Sequence, residues 1–135
     1  MKIFLICSKF FYDRLPEYKK QLEALGHEVE FPNCHDCPET ESKYRGTPEH
    51  FVFKQEMFRR SEEVVKNVDA VLVLNFDKNG QENYIGGATF LEIYDAFRMN
   101  KKIYFVNEIP NNMFKDELIG FNPIIIKDDL SKINQ

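Results

Sequence analysis

A chain of 135 residues with 43% hydrophobic and 30% charged residues has the length and composition of one globular domain with one sizeable core, which excludes long disorder and a two-module plan. The net charge of −4, with acids and bases interspersed, leaves no basic face for a nucleic acid polymer. The apolar run at the amino end, Ile3–Cys7, is too short for a signal-peptide core or a membrane span, and three cysteines fit a reducing compartment better than a disulfide framework, so a cytoplasmic protein with no membrane partner is expected.

Lys2–Cys7 reads as a buried strand bounded by Ser8 and Lys9. From Phe11 to Leu25 the period changes: Leu15, Tyr18, Leu22 and Leu25 recur at helical spacing, with Lys19, Lys20 and Glu23 opposite, until Gly26 closes the helix. His27–Phe31 gives a short second strand. The stretch from Pro32 to Pro48 holds three of the six prolines and no periodicity, which predicts a long loop that is functional or mobile. Within it, Cys34-His35-Asp36-Cys37 has ligand types that suit zinc but no second pair, the other histidines being His27 and His50; a plain loop is expected there, and no metal.

Thr47-Pro48-Glu49 reads as an N-cap, a first-turn proline and a first-turn acid, predicting a helix from Pro48 to about Asn67 with Phe51, Phe53, Met57, Phe58, Val64 and Val65 as its apolar residues. Asp69–Phe76 is the third strand. Ile85–Asn100 follows as a helix whose expected apolar face is Phe90, Leu91, Ile93, Tyr94 and Phe97. Lys102–Val106 is a fourth strand, Asn112–Gly120 a shorter helix, Pro123–Ile126 a fifth strand, and Asp128–Asn134 a last helical turn or two.

Strands apolar on both faces, alternating with helices, predict an α/β fold spanning residues 1–135 as a single domain. Right-handed crossovers make it a doubly wound three-layer sandwich, flavodoxin- or Rossmann-like, with a five-stranded parallel sheet in the order 2-1-3-4-5. In that order the loops after strands 1 and 3 diverge and leave a crevice at the carboxyl ends of the strands. Those loops carry Cys7-Ser8-Lys9-Phe10 and Asn75-Phe76-Asp77, and beside them a helix opens at Gly86-Gly87 and bears Glu92. The dinucleotide pattern Gly-x-Gly-x-x-Gly is absent after strand 1, so no dinucleotide or other organic cofactor is expected.

The order of these segments resembles the nucleoside 2-deoxyribosyltransferase-like superfamily, which includes the deoxynucleoside monophosphate N-glycosidases. The likeness lies in the amino-terminal strand with its Ser-containing turn, in Gly26-His27-Glu28-Val29, and in the strand Asp69-Ala70-Val71-Leu72-Val73. It continues through the glycine-containing segment, the helix with Glu92-Ile93 and then Ala96, and the strand Lys101-Lys102-Ile103-Tyr104. The chain departs from the family pattern in Cys7-Ser8-Lys9, in Ala88 and Tyr94 where the family has glycine, and in the shifted pair Gly86-Gly87. The resemblance implies an N-glycosidase or deoxyribosyltransferase, a hydrolase or glycosyltransferase acting on a nucleoside or nucleotide. It gives Glu92 as the nucleophile, Asp69 as a substrate-binding residue, and the loop containing Asp77 as a holder of sugar and base. It also implies a homodimer or higher homo-oligomer, for which exposed Phe51, Phe58 and Phe97 would serve.

Cleavage of an N-glycosidic bond passes through an oxocarbenium-like sugar and calls for a carboxylate that adds to the anomeric carbon. Glu92, among apolar neighbours, is that candidate, against its reading as a solvated helix glutamate. Asp77 either orients the sugar and protonates the departing base or is a turn residue beside Asn79-Gly80. Ser8 and Lys9 suit a 5′-phosphate together with the N–H groups near Gly86 and Gly87, or form a solvated turn. Phe10 either stacks on a base or packs under the first helix. Asn75 binds base or sugar, or caps the strand end. Alongside the enzyme stands a second reading, a non-catalytic nucleotide-binding sensor or interaction domain of the same fold.

Overall fold

The computed structural model of the protein describes residues 1–134. Five strands, β1 (Lys2–Ile6), β2 (Glu28–Glu30), β3 (Ala70–Val73), β4 (Lys102–Phe105) and β5 (Ile124–Ile125), form one parallel sheet in the order β2-β1-β3-β4-β5. The expected strand order is therefore the observed one. The helices are α1 (Leu15–Ala24), α2 (Thr40–Tyr44), α3 (Glu49–Lys66), α4 (Gly87–Arg98) and α5 (Lys115–Gly120). No helix among the described residues is long and apolar enough to cross a membrane.

Alternation along the central strands feeds two cores, one on each face of the sheet. Ile3, Leu5, Ala70, Leu72 and Tyr104 face α1, where they meet Leu15, Tyr18 and Leu22, and the carboxy-terminal residues Leu130 and Ile133 close the same side. Phe4, Ile6, Val71, Val73 and Phe105 face the other way, onto Val65 of α3, Ile93 and Ala96 of α4 and Leu118 of α5. Both faces of β1 and β3 are thus covered, which is why these strands are apolar throughout except at Lys2, the partly exposed first residue of β1.

Several elements differ from their sequence expectations for identifiable reasons. The chain leaves β1 through a 3₁₀ stretch, Lys9–Arg14, and α1 starts only at Leu15, with Pro16 in its first turn. Leu25 is exposed beyond the helix end. The stretch from Pro32 to Pro48 is not wholly a loop, since it contains α2, a single short helix with no buried residue. The last segment holds a 3₁₀ turn, Leu130–Lys132. On α4 the buried residues are Thr89, Ile93 and Ala96, while Leu91, Tyr94 and Phe97 face outward. The sheet selects one stripe of a helix that is apolar around more than one face, and the aromatic remainder stays on the surface.

Candidate active site

A cleft of about 270 Å³ opens above the carboxyl ends of β1 and β3, where the strand order reverses. One wall is Cys7, Ser8 and Lys9 with Tyr12 behind them. The opposite wall is the amino end of α4, from Gly86 to Thr89, with Glu92 one turn deeper. Lys54, Met57 and Ser61 of α3 enter from the side, and Asn33 and Glu41 of the segment between β2 and α3 cover the mouth.

The amino end of α4 is open by construction. Gly86 precedes it in an extended conformation, and no side chain caps the first-turn N–H groups. A Cβ added at Gly86 would lie 3.0 Å from the Tyr84 hydroxyl, a tight contact that the Tyr84 ring would have to relieve by moving a few tenths of an ångström. Gly87 has open space where a Cβ would be, so a ligand can approach its backbone closely.

Glu92 lies at the foot of the cleft between these walls, partly covered. Burial pushes its carboxyl up to about 7, the hydroxyl of Ser61 pulls against that, Asp95 adds to the rise and Lys54 opposes it. Ser61 is itself oriented. The side-chain amide of Asn33 donates to Ser61 Oγ at 3.1 Å and to the Met57 carbonyl at 3.2 Å, which fills the acceptor side of the hydroxyl and leaves its proton for the carboxylate. Tyr12 is held as a neutral phenol, its ionisation disfavoured by burial first and then by the acidic groups of Cys7 and Glu92 beside it, with which a phenolate would have to share the cleft.

Cations gather at the mouth around Glu41. Its carboxylate meets His50 Nε2 at 2.9 Å, Lys54 Nζ at 3.2 Å, Lys9 Nζ at 3.3 Å and an Arg45 guanidinium nitrogen at 3.8 Å. Desolvation works to raise the Glu41 carboxyl, but hydrogen bonds from His50 and Lys54 outweigh it and bring it down to about 2.

Of the residues singled out by sequence, Ser8, Lys9, Gly86, Gly87 and Glu92 converge on this cleft, and four do not line it. Asp69 lies at the opposite, amino-terminal edge of the sheet, where its carboxylate accepts from the Lys2 N–H at 2.7 Å and anchors the start of β3. Asn75 is fully buried and clamps two strand ends. Its amide donates to the carbonyls of Asn107 and Glu108, its oxygen accepts from the Asn107 N–H, and Asn107 returns a bond to the Asn75 carbonyl. Asp77 is exposed and accepts from the Asn83 N–H at 3.0 Å, bracing the loop that leads to Tyr84. Phe10 is also exposed and meets Phe11 edge-on.

Sequence reasoning overlooked Asn33, Glu41, Arg45, Lys54 and Ser61. A signal existed for two of them: Lys54 and Ser61 share a helical stripe with Met57 and Phe58, so polar residues interrupt an apolar face. Nothing in the sequence pattern marked Glu41, because its partners come from three separate segments.

Fold and cleft together define an α/β protein with a carboxylate-bearing crevice at the topological switch point of a parallel sheet. No protein-family model matches the sequence, and no curated protein matches it. Among solved structures, the CMP N-glycosidase BcmB of Clostridium botulinum has the same fold, with a TM-score of 0.57 and 20% sequence identity over 98% of this chain and 96% of that one.

Proposed function

We propose that the protein is an enzyme that acts on a nucleotide at its N-glycosidic bond, with Glu92 as the nucleophile. The observation that carries this reading is a carboxylate at the foot of a cleft whose mouth is lined with cations. A nucleotide laid with its sugar over Glu92 directs its phosphate toward Lys9, Lys54 and the free N–H groups of α4. The likeness to a protein described as a CMP N-glycosidase supports the same class of substrate.

In this reading a Glu92 carboxylate oxygen forms a bond to the anomeric carbon as the bond from that carbon to the base breaks. The electron pair leaves with the base, which takes up a proton. Water or a second base then attacks the same carbon and frees the carboxylate. Ser61, fixed by Asn33, favours the ionised form of the carboxylate against the effect of burial, and Tyr12 offers a neutral hydroxyl as hydrogen-bond donor within the cleft. A nucleophile must be ionised, so turnover should rise as pH passes upward through about 7. Were Glu92 instead a general acid, turnover would fall over the same range.

Incubation with a panel of nucleosides and their 5′-monophosphates, with free base followed by chromatography, tests the proposal. Release is expected from monophosphates, reduced on the order of a thousandfold in Glu92→Gln and less than about tenfold in Asp77→Asn. Release that survives Glu92→Gln removes the nucleophile assignment. A nucleotide that raises the melting temperature without any release favours the non-catalytic binding domain. Self-association belongs to the same reading, since Phe51, Phe58 and Phe97 are exposed on α3 and α4, and sedimentation velocity measures it.

A further inference from the structure

Glu41 presents an unusual balance of charge at the cleft mouth. One carboxylate is shared by Lys9, Arg45 and Lys54, with His50 as a fourth donor, so the cluster carries a surplus of positive charge that a single carboxylate does not neutralise. The cations come from three segments: Lys9 follows β1, Arg45 follows α2, and His50 and Lys54 stand one helical turn apart on α3.

The helix that carries Glu41 is poorly anchored by anything else. It has no buried residue and no side-chain cap, and it rests mainly on α3, with the Tyr44 ring tilted against Phe53. Gly46, just beyond it, sits in the left-handed region at φ 80°, where the chain turns from α2 toward α3 and an added Cβ would touch neither helix. With α2 in place the cleft holds about 270 Å³, below the roughly 300–1,000 Å³ of ordinary small-molecule pockets.

We propose that Glu41 is an internal substitute for a phosphate: it occupies an anion site formed by Lys9, Arg45, His50 and Lys54, and a bound phosphate monoester displaces it and lifts α2 from the cleft mouth. A phosphate monoester carries more charge than a carboxylate and offers three acceptor oxygens, so it satisfies the cluster better than Glu41 does. The closed arrangement then keeps the cations preorganised and unavailable to weaker anions until a phosphate arrives. That the phosphate belongs to a nucleotide rests on the proposed function, but the anion site itself does not.

Inorganic phosphate and ribose 5-phosphate, titrated calorimetrically at low ionic strength, are suitable probes. Glu41→Gln keeps the size of the side chain and removes the competing charge, and should bind both about tenfold more tightly than the wild type. Lys54→Gln, on the long helix α3, should bind both about tenfold more weakly. Hydrogen exchange of the amides of residues 40–44 in the wild type should speed up when phosphate is added. Equal or weaker binding by Glu41→Gln overturns the proposal, as does phosphate binding with unchanged exchange in α2. Base release with no change of phosphate affinity in Glu41→Gln removes the gate alone. Phosphate binding as described, with no base released from any nucleotide, removes the proposed reaction and leaves the gate standing.

Discussion

Replacing Glu92 with glutamine should stabilise the protein, and by an amount that depends on pH. Burial raises the folded-state carboxyl from an ordinary 4.5 to about 7, so the folded protein holds the Glu92 proton more tightly than the unfolded chain does. Below pH 4.5 both states are protonated and no penalty exists. Between pH 4.5 and about 7 the unfolded chain ionises first, and stability is lost as pH rises; above about 7 the penalty is complete. The full difference corresponds to about 3 kcal/mol, and because the cleft admits water the expected value is nearer about 2 kcal/mol. A glutamine side chain cannot ionise, so Glu92→Gln should match the wild type near pH 4.5 and exceed it by about 2 kcal/mol at about pH 8, about 5–8 °C in melting temperature for a domain of this size. Urea or thermal unfolding of both proteins from about pH 4.5 to about pH 8.5 measures the gap. A gap that stays flat with pH, or that narrows as pH rises, refutes the buried-carboxylate argument and with it the physical basis for Glu92 as a tuned group.

Ser61→Ala removes the hydroxyl that favours the ionised carboxylate, so the Glu92 titration midpoint should move above about 7. Carbon NMR of side-chain-labelled glutamate reads this without any substrate, and an unmoved midpoint would show that Ser61 does not act on Glu92. Asn75→Ala deprives two buried carbonyls and one N–H of their partner and should cost about 3 kcal/mol in chemical denaturation. A loss below about 1 kcal/mol would mean the clamp is dispensable. Glu41→Gln should be less stable than the wild type at neutral pH, the gap closing as pH falls from 4.5 toward about 2, because a lowered carboxyl contributes stability only where it is ionised. Unfolding of both proteins across that range measures it, and a gap independent of pH would refute the ion-pair account. Alkylation should modify exposed Cys37 first and leave Cys7 untouched until unfolding, since burial, with Glu92 and Asp13 nearby, pushes the Cys7 thiol well above its ordinary range.

Local pattern carried most of the architecture. Apolar runs at Ile3–Cys7 and Ala70–Leu74 can only be central strands, because both their faces need cover, and the helical period between them makes the crossovers that force a parallel sheet. From that topology alone follows the crevice beside Ser8, Gly86 and Glu92, as strand order sets which loops diverge. Polar roles were less legible. Asn75 and Asp77 lie close in sequence at the same strand end, yet one is buried against Asn107 and the other braces an exposed turn. Strand alternation and the path of the following loop decide this, and neither can be read from residue type.

Glu92 could be picked out by its place on a glycine-led helix. Its state could not, for the rise to about 7 reflects burial by the walls of the cleft, modulated by Ser61, Asp95 and Lys54, and folding alone brings these together. Glu41 stands at the other extreme: nothing in the prolines, acids and cysteines around it distinguishes it, and its meaning arises from cations supplied by segments before and after it in the chain. Hydrophobic periodicity is a local property and survives in one dimension, so the linear order of residues was enough for the sheet, its strand order and the location of the crevice. Electrostatic environment depends on distances between segments remote in the chain. Which carboxylate titrates near neutrality, which is strongly acidic and which merely ties down a loop therefore emerged only once those segments were packed together.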